Sequence, residues 1–185
     1  MSGIIVIIPA YNEANSIAKV IAEIPSEVSE VIVVNNNSTD DTVLNAENAG
    51  ATVLTENRKG YGYACLKGMD YIASKKEKPE IIVFLDGDYS DYPEELTKIV
   101  EPIKNRDIDF VIGARVKELR EDGSMTPQQI FGNWLATRLM AIMFGATFTD
   151  LGPFRAIKCD KILSLNMQDK TYGWTVEMQL KALKN

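Results

Sequence analysis

The run Ile81-Ile82-Val83-Phe84-Leu85 is continuously apolar and then breaks at once into Asp86-Gly87-Asp88. A run this short and this rich in β-branched residues reads as a strand buried on both faces. Such strands belong to parallel sheets covered by helices. Ligands in open α/β sheets bind at the carboxyl ends of the strands. Two carboxylates are thus expected at the ligand-binding edge, where without a counter-charge each would raise the other's pKa. A divalent cation carrying a diphosphate relieves that repulsion, because Mg2+ or Mn2+ is held by one or two carboxylates plus phosphate oxygens.

The rest of the chain alternates in the same way. Strands are predicted at Ile4–Ile8, Val31–Val34, Thr52–Leu54, Ile81–Leu85 and Phe110–Ile112. Helices are predicted at Ala14–Glu23, Asp41–Ala49, Gly62–Ser74 and Pro93–Ile103. Ser38, Thr39 and Asp40 supply N-cap chemistry before the second helix, and Pro93-Glu94-Glu95 suits the first turn of the fourth. This βαβ order predicts an α/β domain with a mostly parallel central sheet. Beyond Gly113 the alternation stops. A charged loop (117–126), a long helix (127–144), a short strand Phe154–Lys158 and a last helix Thr175–Leu183 are expected there. The last helix meets the chain end with no cap or stop, the pattern of a domain cut in or just after it.

Composition narrows the function. A chain of 185 residues suits one domain, and a net charge of −6 with no Lys/Arg cluster argues against nucleic-acid binding. No histidine is present, which removes Ser-His-Asp and Cys-His catalysis and His-containing zinc sites. Cys65 and Cys159 have no metal-ligand or redox spacing and are expected to be reduced, buried and inert. The start of the chain lacks the basic residues and cleavage site of a signal peptide, which implies a cytoplasmic protein. No stretch reaches the roughly 20 apolar residues needed to span a bilayer.

Four strand ends carry polar residues: Pro9-Ala10-Tyr11-Asn12-Glu13, Asn35-Asn36-Asn37-Ser38-Thr39-Asp40, Asp86-Gly87-Asp88 and Gly113-Ala114-Arg115. Each alone is ordinary turn chemistry, but all four fall on one edge of one sheet. Together with Thr149-Asp150-Leu151-Gly152-Pro153-Phe154-Arg155-Ala156, they resemble family-2 glycosyltransferases, in particular the dolichyl-phosphate mannosyl- and glucosyltransferase-like branch.

The resemblance implies a GT-A-type, Rossmann-like three-layer α/β/α fold, one glycosyltransferase domain over 1–185. Its nucleotide-sugar half would be 1–113 and its acceptor-side half 114–185. It implies an inverting transfer of a hexose from a UDP- or GDP-linked donor, with Mg2+ or Mn2+ as cofactor. Pro9, Ala10, Tyr11, Asn12, Glu13, Asn35, Asn37 and Ser38 would hold the nucleotide. Asp86, Gly87 and Asp88 would face the ribose, metal and diphosphate, with Asp86 and Asp88 as metal ligands. Gly60 and Gly62 would let the backbone approach the donor. Arg115 and Arg155 would meet the acceptor, and Asp88, Asp150 and Glu177 are the catalytic candidates.

This chain departs from the family pattern at Asn35, where relatives carry an Asp that pairs with the base, so the nucleotide stays open. The Glu-Asp pair that serves many relatives as general base is missing from Gly173-Trp174-Thr175-Val176-Glu177. An acceptor that is already an anion, such as a polyprenyl phosphate, would need no base and would place the enzyme at the cytoplasmic face of a membrane. The apolar side of the 127–144 helix, from Leu135 to Phe144, would serve as core, lipid groove or homodimer face. The alternatives are a nucleotide-sugar-binding module without turnover and an aspartate-nucleophile phosphatase, in which Asp86 would be phosphorylated.

Overall fold

The computed structural model describes residues 3–113 and 152–184. In chain order the elements are β1 (Ile4–Ala10), α1 (Ile17–Glu23), β2 (Val28–Asn35), α2 (Thr42–Asn48), β3 (Thr52–Thr55), α3 (Tyr61–Ser74) and β4 (Ile81–Phe84). A 3-10 turn (Pro93–Glu95) then leads into α4 (Leu96–Asn105), β5 (Phe110–Ile112), β6 (Arg155–Lys158), α5 (Cys159–Ser164) and α6 (Trp174–Ala182).

The strands form one six-stranded sheet in the order β3-β2-β1-β4-β6-β5. β1 pairs in parallel with β2 and β4, and β2 with β3. β6 runs antiparallel to both its neighbours, β4 and β5. The sheet is therefore mostly parallel, as predicted, but β5 is separated from β4 by a strand that returns from much later in the chain. Residues assigned by sequence to an acceptor-side half thus supply an interior strand of the sheet.

Side-chain alternation sorts the apolar strands into two layers. Ile4, Val6 and Ile8 of β1 and Ile81 and Val83 of β4 pack with Ile17 and Val20 of α1, Ala46 of α2 and Leu96 and Val100 of α4. Ile5, Ile7, Ile82 and Phe84 face the other way, against Ala64, Cys65 and Ile72 of α3, Ile162 of α5 and Trp174 and Met178 of α6. Phe84 and Trp174 meet as a tilted aromatic pair with ring centroids 6.0 Å apart. Full burial of each such aliphatic side chain stabilises the fold by about 1.5–3 kcal/mol relative to exposure. Both cysteines are free and buried in this core, as expected.

The order also locates the ligand edge. From β1 the chain moves outward through β2 and β3, then crosses back to place β4 on the other side of β1. The crevice between the carboxyl ends of β1 and β4 is a topological switch point, where open α/β sheets bind ligands. Tyr11 and Glu13 leave one wall of it and Asp86 and Asp88 the other.

α3 lies close on β1 because Gly68 has no side chain: a Cβ there would sit 2.8 Å from Ile7 Cγ2. Gly68→Val is expected to overpack this contact by about 1–3 kcal/mol. In scanning calorimetry this should lower Tm by roughly 2–10 °C for a chain of this size. An unchanged Tm would contradict the close approach.

Candidate active site

A cavity of about 320 Å³ opens at the switch point. Its lining comes from the β1 exit (Pro9, Ala10, Tyr11, Glu13), Asn36 after β2, Lys59 and the start of α3 (Gly60, Tyr61, Ala64), the Asp86–Asp88 turn, and Tyr172. The described residues thus bring together Pro9, Ala10, Tyr11, Glu13, Gly60, Asp86, Gly87 and Asp88 from the sequence-based set.

Asp86 forms the floor. It is half-buried, whereas Asp88 is exposed. The Oδ1 atom of Asp86 is shielded from solvent and has no hydrogen-bond partner. Burial, followed by the negative charges of Asp88 and Asp91, pushes its carboxyl up to about 7; the Tyr61 hydroxyl and the Arg155 guanidinium act in the opposite direction. Asp88 Oδ1 accepts the Ser90 N–H at 2.9 Å, a tight turn in which Tyr89 adopts a φ of 64°. Glu13, on the facing wall, is also pushed above the usual carboxylate range by burial, with Asp88 and Asp40 adding to the effect and a Ser16 hydrogen bond opposing it.

This donor set fits a divalent cation of a particular kind. Among the described residues no group of three or more His, Cys, Asp or Glu side chains could form a cage by itself. Two carboxylates, one with an orphaned buried oxygen, suit an ion that completes its shell with phosphate oxygens and water.

The exits of β1 and β2 are stitched to each other. Asn12 N–H donates to Ser38 Oγ at 3.0 Å, and Thr39 N–H donates to Asn12 Oδ1 at 2.8 Å. Glu13 N–H donates to Thr42 Oγ1 at 2.7 Å and Ala14 N–H to Asp40 Oδ2 at 3.1 Å. Ser38 serves the neighbouring strand exit, whereas Asp40 serves both sides: its Oδ2 holds Ala14, and its Oδ1 accepts the N–H of Thr42, the first residue of α2, at 3.1 Å. Asn35 Oδ1 accepts the Ser38 N–H at 2.9 Å, and Asn37 Nδ2 donates to Asn57 O at 3.1 Å. Asn12, Asn35, Asn37 and Ser38 therefore shape the loops and do not line the cavity.

Asn36 is the residue that sequence reasoning passed over. Its Nδ2 donates to Glu56 O at 3.1 Å and Arg58 O at 2.7 Å, while its Oδ1 accepts the Gly60 N–H at 2.9 Å. One buried amide thereby fixes the whole β3–α3 loop. Glu56 reinforces it: the Arg58 guanidinium, against the cost of burial, holds its carboxyl down at about 2. Arg58 also stacks over Tyr63, and the Lys59 ammonium lies 5.5 Å from the Tyr11 ring centroid.

Three sets of candidates make contacts within the fold. Gly60 lines the cavity, yet both Gly60 and Gly62 also make room for protein: a Cβ at Gly60 would meet Lys170 O at 2.2 Å, and one at Gly62 would meet Asp169 O at 2.2 Å. Glu177 is not placed as a base. Its carboxylate accepts the Gln168 and Asp169 N–H groups at 2.7–3.0 Å and pairs with Lys181 at 2.8 Å. Burial works against its charge, but Lys181 and the two amides outweigh it and hold the carboxyl below its usual value. Arg155 is only 1% exposed and donates to the carbonyls of Gly152, Pro153 and Thr175, so it braces the core beneath Asp86 and does not face an acceptor. Arg115, Asp150 and the 127–144 helix lie outside the described residues.

Residues 5–164 match the model of Glycosyl transferase family 2. The chain belongs to glycosyl transferase family 2. Among curated relatives of this family, Glycosyltransferase AglJ of Haloferax volcanii is 32% identical over 182 residues, covering 97% of this chain and 58% of that protein. The Undecaprenyl-phosphate mannosyltransferase of Micrococcus luteus is 26% identical, covering 98% of this chain and 78% of that one. Glucosyl-3-phosphoglycerate synthase of Mycobacterium tuberculosis, solved with Mn2+, UDP-glucose and phosphoglyceric acid, superposes with a TM-score of 0.75 at 25% identity. That alignment covers 100% of this chain and 66% of the synthase. The three-layer α/β/α arrangement described above is thus the GT-A fold of these glycosyltransferases. The chain spans little more than half the length of AglJ and two thirds that of the synthase.

The strained floor has a pH signature. Folded, Asp86 keeps its proton up to about pH 7, whereas the unfolded chain releases it near 3.8. The stability this contributes is complete below the lower value and lost as pH rises through the upper one. The metal-free protein is expected to lose Tm between pH 5 and 8, and Asp86→Asn to flatten that decline. Differential scanning fluorimetry across this range checks it; parallel curves for the two proteins would contradict the assignment.

Proposed function

We propose that this family-2 chain transfers a hexose from a nucleotide-diphosphate sugar to an acceptor oxygen, inverting the anomeric carbon. The orphaned Oδ1 of Asp86 beside Asp88, at the switch point of the sheet, is the observation that carries this reading. Asp86 and Asp88 would hold a Mg2+ or Mn2+ ion. When bound, that ion supplies neutralising charge for the departing diphosphate. The Mn2+ and UDP-glucose bound to the mycobacterial synthase favour a uridine donor here.

In the transfer itself, the acceptor oxygen bonds to the anomeric carbon as that carbon's bond to the diphosphate breaks, its electron pair leaving with the diphosphate. The chain contributes mainly position. Asn36 holds the Lys59–Tyr61 wall still, and the β1 exit presents Tyr11 and Glu13 across from it. Lys59 brings a positive charge to a cavity otherwise ringed by Glu13, Asp86 and Asp88.

With Glu177 engaged by its own loop, an acceptor that is already ionised suits the site best, since its oxygen needs no base. The likeness to an undecaprenyl-phosphate mannosyltransferase favours a polyprenyl phosphate in that role. Arg115 would then grip the acceptor phosphate with its planar fork, and Asp150 would lie near it. Catalysis would take place at a membrane surface; no helix among the described residues is long and apolar enough to cross one. Membership of family 2 leaves the phosphatase alternative without support. A binding module without turnover would differ by binding donor and releasing no diphosphate.

Calorimetric titration with UDP-glucose, GDP-mannose, UDP and GDP, with and without Mn2+, tests the reading. One donor is expected to bind only with metal. Loss of a supporting residue at a metal site costs roughly 10–100-fold in metal affinity, so Asp88→Ala, which removes a ligand, should weaken donor binding at least that much. Donor binding that ignores both the metal and the substitution would overturn the proposal, as would a folded protein that binds none of the four.

A further inference from the structure

We propose that Tyr172 is the platform against which the hexose ring of the donor packs. This rests on the nucleotide-sugar reading above and assigns a residue to the part of the donor that it leaves unplaced.

The side chain of Tyr172 is 87% exposed, the most exposed large hydrophobic residue described, yet it lines the cavity. The backbone that carries it is heavily fixed. Glu177 accepts two N–H groups from Gln168 and Asp169. Asp169 Oδ1 accepts the Thr171 N–H at 2.7 Å. The carbonyls of Thr171 and Lys170 accept the Gly62 and Tyr63 N–H groups at 3.1 and 3.2 Å, so the loop also occupies the start of α3. Gly60, Gly62 and Gly173 are each spaces that this loop fills, with atoms 2.2–2.4 Å from where a Cβ would be. An aromatic ring held out in water by a rigid loop buries nothing in the fold. The fixed backbone of its loop instead suits a ligand, because little backbone freedom is lost when the ring is covered.

The position of the ring selects which part of the ligand. Asp86 and Asp88 at the floor fix where a metal-bound diphosphate lies. The β1 and β2 exits, with Tyr11, Asn36 and Lys59, form the nucleotide wall. Tyr172 rises from the loop before α6, which packs on the start of α3 on the same face of the sheet, and stands at the exposed end of the cavity, where the group beyond the diphosphate would project. A pyranose has an apolar C–H face and a polar rim, and a tyrosine matches both with its ring face and its hydroxyl tip.

The test compares donor with diphosphate. With Mn2+ present, UDP-glucose and UDP are titrated into wild-type protein, Tyr172→Ala and Tyr172→Phe, or GDP-mannose and GDP if wild type binds that pair. Tyr172→Ala is expected to weaken the donor roughly 5–10-fold while leaving the diphosphate within about twofold; Tyr172→Phe should keep most of the donor affinity. Equal losses for donor and diphosphate would make the ring a nucleotide contact and overturn the proposal, and so would no loss for either. If wild-type protein binds neither pair, the underlying nucleotide-sugar reading fails as well. Because the side chain is exposed, folding of the variants can be verified by an unchanged Tm.

Discussion

A carboxylate held partly out of water, with one oxygen unpartnered and two like charges nearby, is a costly arrangement at the ligand edge of this fold. Leaving a buried polar atom unpaired costs on the order of 1–3 kcal/mol, and more for a charged one. Asp86 bears that cost at the point where β4 ends beside β1, and its carboxyl titrates near 7 as a result. Such strain persists where the surrounding structure over-determines it and where function uses it. A divalent ion held there, as proposed, would offset these penalties by meeting the orphan oxygen, screening Asp88 and favouring the charged form of Asp86.

Much of the neighbouring structure keeps that floor in place. From below, Arg155 ties the carbonyls of Gly152 and Pro153 to that of Thr175 in the first turn of α6, bringing a buried positive charge near Asp86. From the sides, the hydrogen bonds between Asn12, Ser38 and Thr39 and those made by Asn36 lock three loops that would otherwise move independently. Most of these bonds run between backbone and side chain across 20 or more residues of sequence. The loops around the cavity are thus held rigid, while Tyr172 stands exposed at its lining.

The apolar runs made the sheet and its ligand edge readable, because strands buried on both faces leave a continuous pattern and the carboxylates follow β4 directly. The insertion of β6 between β4 and β5 was not readable: its pairing is made across the sheet and leaves no local mark in Arg155–Lys158. The six-residue helix α5 was missed because it is too short to show a period. Within the site, Asp86, Asp88, Tyr11 and Glu13 were visible as polar residues at strand ends. Asn36 was hidden in a run of asparagines, only one of which lines the cavity. Gly60, Gly62, Glu177 and Arg155 were given contacts with ligand that the fold uses internally, since a glycine that admits a loop and one that admits a phosphate look alike in sequence. Tyr172 and Lys59 carried no signal beyond residue type, and only the cavity picks them out.

The most direct measurement is an anomalous diffraction map from crystals of the protein grown with Mn2+ and UDP. The carboxylate pair predicts one strong manganese peak within bonding distance, about 2.2 Å, of Asp86 or Asp88 and of the diphosphate oxygens. A well-ordered diphosphate with no metal beside it, or manganese bound away from these two residues, would contradict the central claim.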